Sequence, residues 1–391
     1  MKNIKKTFQV TNYWFNKIVS GTKRIEIRLN TPERQNLKVG DLINIKNEET
    51  NHFQIAQITK IEQFKSFESL YKSYNPEILG YLPDEKFDFH DMYKHYKNED
   101  EQKYGVLAFS FQLLDLDLNK IDNFVFDMDG TLLDEESNLR EKNLEAILKL
   151  QKMGKKIIIA TGRPYYTLQK AINNFPIDYP IITSNGAMLY DNQTHELVEY
   201  TAMPKKSAKL MFQKLIELNY EFVIYTTNGM LGHETNASGF FCKRNHYNFL
   251  KPQFYQQIDQ TLDIDQYQVC KFLILTESRP KKEMQQIEAL ANSLEGLHGL
   301  YSRFDMYDVM GQSASKGNGL YFLAQKEGLD LSRTICFGDS ENDISMFEVV
   351  KYSASMANGL EKIKDYALLE APDHNTDWIS EFLEKNFKVK I

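Results

Sequence analysis

Two aspartates two residues apart open the stretch Asp127-Met128-Asp129-Gly130-Thr131-Leu132. In an extended chain that spacing sets both carboxyls on one side, and Gly130 permits a sharp turn directly after them. Acids are costly to bury unless paired or bound to a cation, so such a pair at a strand end is suited to catalysis. An acid pair alone is weak evidence, since Asp115-Leu116-Asp117 has the same spacing. Three further clusters set the first pair apart. Thr161-Gly162-Arg163-Pro164 offers a hydroxyl and free backbone amides, groups suited to cradling a phosphate. Ser315-Lys316-Gly317-Asn318 opens a helical pattern with a lysine, a point charge for phosphate. Gly338-Asp339-Ser340-Glu341-Asn342-Asp343 adds carboxylates and an amide, hard oxygen ligands of the kind Mg²⁺ prefers.

These clusters need a scaffold that brings them to one edge, and the surrounding sequence supplies one. Phe124-Val125-Phe126, Lys156–Ala160, Pro180–Thr183 and Thr334–Phe337 read as short buried strands, and the first, second and last run directly into a cluster. Helical patterns alternate with them at Asn138–Met153, at Thr167–Phe175, after Ser315 and after Asn342, which predicts a doubly wound parallel sheet. Ligands of such sheets bind beyond the carboxyl ends of the strands, where the clusters lie. The alternation breaks near Met203 and resumes near Ser315. Between them, Lys205–Leu218 and Lys281–Leu294 read as helices, and Glu221–Tyr225, Val269–Leu275 and Met306–Val309 as strands. An inserted domain is expected there.

The composition is that of an ordinary globular chain: 42% hydrophobic and 26% charged residues over 391 positions, which excludes disorder on the scale of a domain. At ~150 residues per domain the length suggests two or three domains. The net charge of −7 gives no overall basic footprint, yet residues 1–65 carry 12 basic and 6 acidic side chains. Three scattered cysteines, Cys242, Cys270 and Cys336, fit neither a disulfide framework nor a closed zinc site. Reduced thiols and a cytoplasmic setting are expected. The apolar runs are strand-sized, far below the ~20 residues needed to span a bilayer, so no membrane partner is expected.

The four clusters together resemble the motifs of the haloacid dehalogenase (HAD) superfamily of phosphatases, and Asn185-Gly186-Ala187 resembles its Cof-type branch, subfamily IIB. The resemblance covers about residues 121–391. It implies a HAD-like core over 120–200 and 308–391, with an inserted α+β cap of the C2 type over 201–307. By it, Asp127 is the nucleophile and Asp129 the general acid and then base. Met128, Thr161, Gly162, Arg163, Asn185, Gly186, Lys316 and Asn342 would hold the phosphoryl group or substrate. Asp127, the main-chain oxygen of Asp129, Asp339 and Asp343 would form the Mg²⁺ site, and the substrate would be a small phosphorylated metabolite. An aspartate is ordinarily ionised at neutral pH, so Asp127 is expected to attack without a base.

In the insertion, Phe240, Phe241, Arg244, Asn245, Tyr247 and Phe249 read as either a small core or a substrate pocket. Cys242, His246 and His233 could be drawn as a metal site, but lack a fourth ligand. Ahead of the core, Gly21-Thr22-Lys23-Arg24-Ile25-Glu26-Ile27-Arg28, Val39-Gly40-Asp41 and Phe64-Lys65-Ser66-Phe67-Glu68 resemble the ASCH domain, a small PUA-like β-barrel, over residues 1–115. That resemblance implies RNA or nucleotide contact. Lys23, Arg24, Glu26 and Arg28 are the candidate residues, with Arg24, Glu26 and Arg28 expected on one charged strand face. Glu26 stands where related amidohydrolases carry threonine.

Overall fold

The computed structural model describes residues 4–114, 116–168, 175–235, 252–276, 279–303 and 306–391. The chain divides into two units, Met1–Leu116 and Asp117–Ile391. Most of the expected helix Thr167–Phe175, and the cap residues 240–249, lie outside the described residues. Among those described, no helix is long and apolar enough to cross a membrane.

The first unit is a curled five-stranded sheet. Its strands are β1 (Ile4–Val10), β2 (Ile25–Leu29), β3 (Leu42–Asn47), β4 (Phe53–Phe64) and β5 (Val106–Leu113), in the order β1-β3-β4-β5-β2. Helix α1 (Asn12–Val19) buries Phe15 and Ile18 against Phe8, Ile43 and Phe109. Ile25, Ile27 and Leu29 pack with Phe67, Leu70 and Val106 in a second cluster. Between the edge strands, the Arg28 guanidinium of β2 donates to the Gln9 carbonyl of β1 at 2.6 Å.

In the second unit, β6 (Asn123–Phe126), β7 (Lys156–Ile159), β17 (Thr334–Gly338), β18 (Tyr352–Met356) and β19 (Leu369–Ala371) form an all-parallel sheet, order β19-β18-β17-β6-β7. Val125, Ile158 and Cys336 of its central strands are fully buried under Leu320 and Leu323 of the helix Lys316–Glu327. Beyond β7, Ala160 bridges Ile182 in parallel. That joins β8 (Ile181–Thr183) to the sheet, and β8 continues into an antiparallel ribbon with β9 (Met188–Tyr190) and β10 (Leu197–Tyr200).

The insertion forms a six-stranded sheet in which β11 (Phe222–Thr226) and β14 (Val269–Leu275) are central neighbours. Its other members are β12 (Gly229–His233), β13 (Tyr255–Gln257), β15 (Leu297–Arg303) and β16 (Met306–Gly311). Helices Lys205–Glu217 and Lys281–Ser293 cover one face, with Met211, Phe212, Leu215, Met284 and Ile287 packed on Phe222, Ile224, Phe272, Ile274 and Val309. Because β16 belongs to this sheet and runs to Gly311, the return to the core falls after Gly311. The sequence boundary at 308 cuts that strand.

Candidate active site

Asp127 directly follows β6, and its amide is tied to the Phe337 carbonyl of the neighbouring β17 at 3.1 Å. Sheet pairing thus fixes where the carboxyl emerges. Gly130 turns the chain away with φ 76°, and a side chain there would put its first carbon 2.6 Å from Asp339 Oδ2. The turn and the Asp339 loop are therefore in close contact, and only glycine fits between them.

Lys316 starts its helix fully buried. Its ammonium donates to Asp127 Oδ1 at 2.5 Å and to Asp343 Oδ1 at 2.6 Å. Asp343 Oδ2 accepts the amides of Asp339 and Ser340, both at 3.0 Å. Ser340 Oγ in turn donates to Asp339 Oδ2 at 3.0 Å. Asp127, Asp339 and Asp343 each offer an oxygen within 4.8 Å of the others. Asp343, with both oxygens engaged by the chain, acts chiefly as the anchor that holds Lys316 and the Asp339 loop.

Three crowded carboxylates and one ammonium leave the cluster short of positive charge. Burial pushes Asp127 well above the ordinary carboxylate range, opposed by Lys316. Burial, reinforced by the Asp343 charge, pushes Asp339 up to about 7. Burial disfavours the charged form of Lys316, but the Asp127 and Asp343 carboxylates outweigh it and hold the ammonium above its usual value. Burial thus opposes the ionised form of Asp127 expected from its residue type, while the Lys316 ammonium favours it. A further cation in the cluster would favour the carboxylate, because a low-dielectric site penalises each negative charge that is not offset.

Thr161 is buried at the end of β7, its amide on the Ile182 carbonyl at 2.8 Å and its hydroxyl accepting from the Arg163 amide at 3.1 Å. Asn185 takes a left-handed conformation, φ 57° and ψ 37°. At Gly186 (φ 85°) a side chain would put its first carbon 2.0 Å from the Ser315 carbonyl oxygen, so this turn is pressed onto the start of the Lys316 helix. Asn342 Nδ2 donates to Asn185 Oδ1 at 3.0 Å. Thr161, Gly162, Asn185, Gly186, Lys316 and Asn342 thus come together. The Met128 side chain is buried away in the core, leaving only its backbone for a ligand.

Arg163 behaves differently from its expected phosphate-binding role. Its Nε donates to Asp129 Oδ2 at 2.6 Å and its Nη2 to Asp129 Oδ1, a two-point clamp. The Asp129 side chain is 49% exposed, and Asp129 is the most open of the four site aspartates. A guanidinium fork favours the ionised carboxylate, whereas protonating a leaving group requires the neutral acid. In Arg163→Met the neutral carboxyl forms more readily, so the alkaline limb of the kcat/KM pH profile should move to higher pH. An unmoved limb would remove Arg163 from the control of Asp129.

Two cap residues of the site were missed in the sequence. Lys271 on β14 donates to the Gly162 carbonyl at 3.2 Å, and Asp308 on β16 accepts from Asn185 Nδ2 at 2.8 Å. The signal was present: each is a lone charge inside an apolar strand, VCKFLIL and MYDVMG.

In the first unit, Lys23, Glu26 and Arg28 line a cavity of about 360 Å³ together with Trp14, Tyr81 and Tyr96. Lys23 and Glu26 are buried, and burial lowers the Lys23 ammonium below its usual range. Arg28 pairs with Glu26. The open charged face expected from the alternation is instead the floor of an aromatic-walled pocket. Arg24 does not join it. It is exposed, with Nε on the Gly21 carbonyl at 3.1 Å. His233 bonds the Tyr220 carbonyl at 2.7 Å, while its supposed co-ligands Cys242 and His246 lie outside the described residues.

The pattern of haloacid dehalogenase-like hydrolases matches residues 124–383, and that of the ASCH domain matches residues 9–115. A protein of Mycoplasma pneumoniae that carries the name phosphatase is 31% identical over 283 residues, covering 69% of this chain and 99% of the relative. The pyridoxal phosphate phosphatase YbhA of Escherichia coli is 27% identical, covering 66% and 95%. A solved haloacid dehalogenase-like hydrolase from Bacillus subtilis aligns with a TM-score of 0.58 at 21% identity, covering 65% of this chain and 96% of the other.

Proposed function

Since the chain belongs to the haloacid dehalogenase-like hydrolase family, and is a phosphatase, we propose that it hydrolyses small phosphorylated metabolites through a phosphoryl group carried on Asp127, with Mg²⁺ as its cofactor. The observation that carries this reading is the contact of buried Asp127 with Lys316 inside the Asp339–Asp343 cluster. The donor set fits Mg²⁺: hard, crowded oxygens, with burial holding Asp127 and Asp339 above their usual proton affinity. Asp127, the Asp129 carbonyl and Asp339 would hold the ion, with Asp343 as anchor. Bound there, Mg²⁺ would offset the charge of the phosphate dianion and of the carboxylates beside it.

The chain's own groups then divide the work. Asp127 attacks phosphorus and becomes the acyl phosphate, the P–O bond to the leaving group breaking as it does so. Asp129, released from the Arg163 clamp in its neutral form, gives its proton to the departing alkoxide. As carboxylate it next takes a proton from the water that attacks the acyl phosphate, which returns Asp127 and frees inorganic phosphate. Thr161, Asn342, Lys316 and nearby backbone amides hold the transferring group, and positioning with charge stabilisation is what phosphoryl transfer chiefly needs.

Sugar phosphates, nucleotides and phosphorylated cofactors form the substrate panel. The pyridoxal phosphate phosphatase among the relatives supports including the last class. The test is phosphate release across that panel with Mg²⁺, using Asp127→Asn as the blank. Release that requires both supports the reading, and release equal to the blank throughout defeats it. Added alcohols show whether the phosphoryl group passes instead to an acceptor, as in a phosphotransferase. Reduced, buried Cys270 and Cys336 suit a cytoplasmic setting.

A second reading concerns the ASCH domain: a nucleotide or the base of an RNA strand occupies the pocket over Lys23 and Glu26. Its volume and aromatic walls support this, since small-ligand sites run from ~300 Å³ upward. Lys23→Ala should weaken binding of short RNA or free nucleotides at low salt about tenfold. Affinity equal to that of the wild type would exclude the pocket as the site.

A further inference from the structure

The cap sends two buried charges to the rim of the phosphate cradle. On β14 and β16, Lys271 pairs with Met310 and Leu273 with Asp308, so the two charges stand diagonally on one face of the sheet. That face is opposite the one covered by helices, where Phe272, Ile274, Tyr307 and Val309 lie. Lys271 is 1% and Asp308 0% exposed, and they pair at 2.6 Å. Stability alone gives little reason for them, because apolar side chains of similar size usually serve a buried sheet face as well or better.

Their remaining contacts supply the reason. Lys271 Nζ donates to the Gly162 carbonyl at 3.2 Å. In a trans peptide the N–H at the other end points the opposite way, and here the Arg163 N–H donates to Thr161 Oγ1 at 3.1 Å. That bond occupies the hydroxyl as an acceptor and leaves its own proton free for a phosphoryl oxygen. On the other side Asp308 Oδ2 accepts from Asn185 Nδ2 at 2.8 Å, and Asn185 Oδ1 accepts from Asn342 Nδ2 at 3.0 Å. A circuit of hydrogen bonds therefore joins Gly162, Lys271, Asp308, Asn185 and Asn342, crossing twice between cap and core. Two of its acceptors, Asp308 Oδ1 and Asn342 Oδ1, are buried without a partner among the described residues, as in sites kept open for a ligand's donors.

We propose that Lys271 and Asp308 are positioning residues, which orient Thr161 and Asn342 for phosphoryl transfer only while the cap is seated on the core. This rests on the phosphatase reading, in which Thr161 and Asn342 hold the phosphoryl group.

The test compares wild type, Lys271→Arg, Asp308→Asn and the uncharged double variant Lys271→Met/Asp308→Leu. Each is assayed with an aryl phosphate and a sugar phosphate well below its melting temperature. The double variant, which leaves no charge orphaned, should stay folded and lose about 30- to 100-fold in kcat, the scale of a misplaced reacting group. The loss should be equal for both substrates, because the cradle holds the part they share. Lys271→Arg should recover most of the activity. A folded double variant with wild-type kcat overturns the proposal, and so does a loss confined to one substrate, which would make the pair a reader of the leaving group. If the double variant does not fold, shape-conserving Asp308→Asn decides: an equal loss of at least tenfold supports the proposal, and unchanged kcat refutes it. Absence of Asp127-dependent turnover in the wild type would defeat the phosphatase reading instead.

Discussion

Asp127→Asn should lose at least about 10⁴-fold in kcat, while Lys316→Ala loses only about 10²- to 10³-fold. The two residues are in direct contact, so the contrast isolates their roles. An amide cannot take up the phosphoryl group as a carboxylate does, and no other carboxyl stands at the end of β6 with its backbone pinned to β17. Lys316 contributes charge and orientation, which its neighbours and a bound cation partly supply. Removing it also leaves Asp127 and Asp343 without their ammonium, so the melting temperature of Lys316→Ala should fall with its activity. Equal residual turnover in the two variants would contradict the assignment of Asp127 as nucleophile.

Binding of Mg²⁺ should release protons near pH 7, and the cation should stabilise the protein more at pH 8 than at pH 5.5. Burial first, and then the Asp343 charge, hold the Asp339 carboxyl up to about 7 against an ordinary value of 3.8. The folded chain therefore keeps a proton that the unfolded chain gives up near pH 4, and without a cation the site loses stability as pH rises from about 4 through 7. Asp127 is raised as well and adds in the same direction. A divalent cation reverses that loss by replacing the proton. Proton release measured in weakly buffered solution, with melting temperatures at the two pH values, checks the sign. No release at pH 6.5 and equal stabilisation at both pH values would contradict it.

The parallel core was legible because its strands are continuous apolar runs ending in polar clusters, and both features are local. Phe124-Val125-Phe126 before Asp127, and Thr334–Phe337 before Asp339, place the site with no knowledge of the rest of the fold. The β1 strand leaves little trace in the sequence, because its lysines and Gln9 mask the inward Phe8 and Val10. The charged face of β2 was misjudged because what covers it comes from residues 71–96, far along the chain. The family resemblance puts Arg163 on the phosphate, whereas its partner in the structure is Asp129, 34 residues away. Lys271 and Asp308 stand out as lone charges in apolar strands, yet their role is hidden for a related reason. A charge inside an apolar strand acquires meaning only when the opposite face is found to be buried against another part of the molecule.

The central claim is that the phosphoryl group passes through Asp127. Acid quenching of Asp129→Asn during turnover, followed by mass analysis of the peptide containing Asp127, tests it directly. Attack by Asp127 remains possible in that variant, whereas activation of the hydrolytic water is impaired. The peptide should carry the added mass of one phosphoryl group on Asp127, which disappears on treatment with hydroxylamine. Phosphate release by the wild type, with no such adduct in the variant or with the adduct on another residue, would contradict the account.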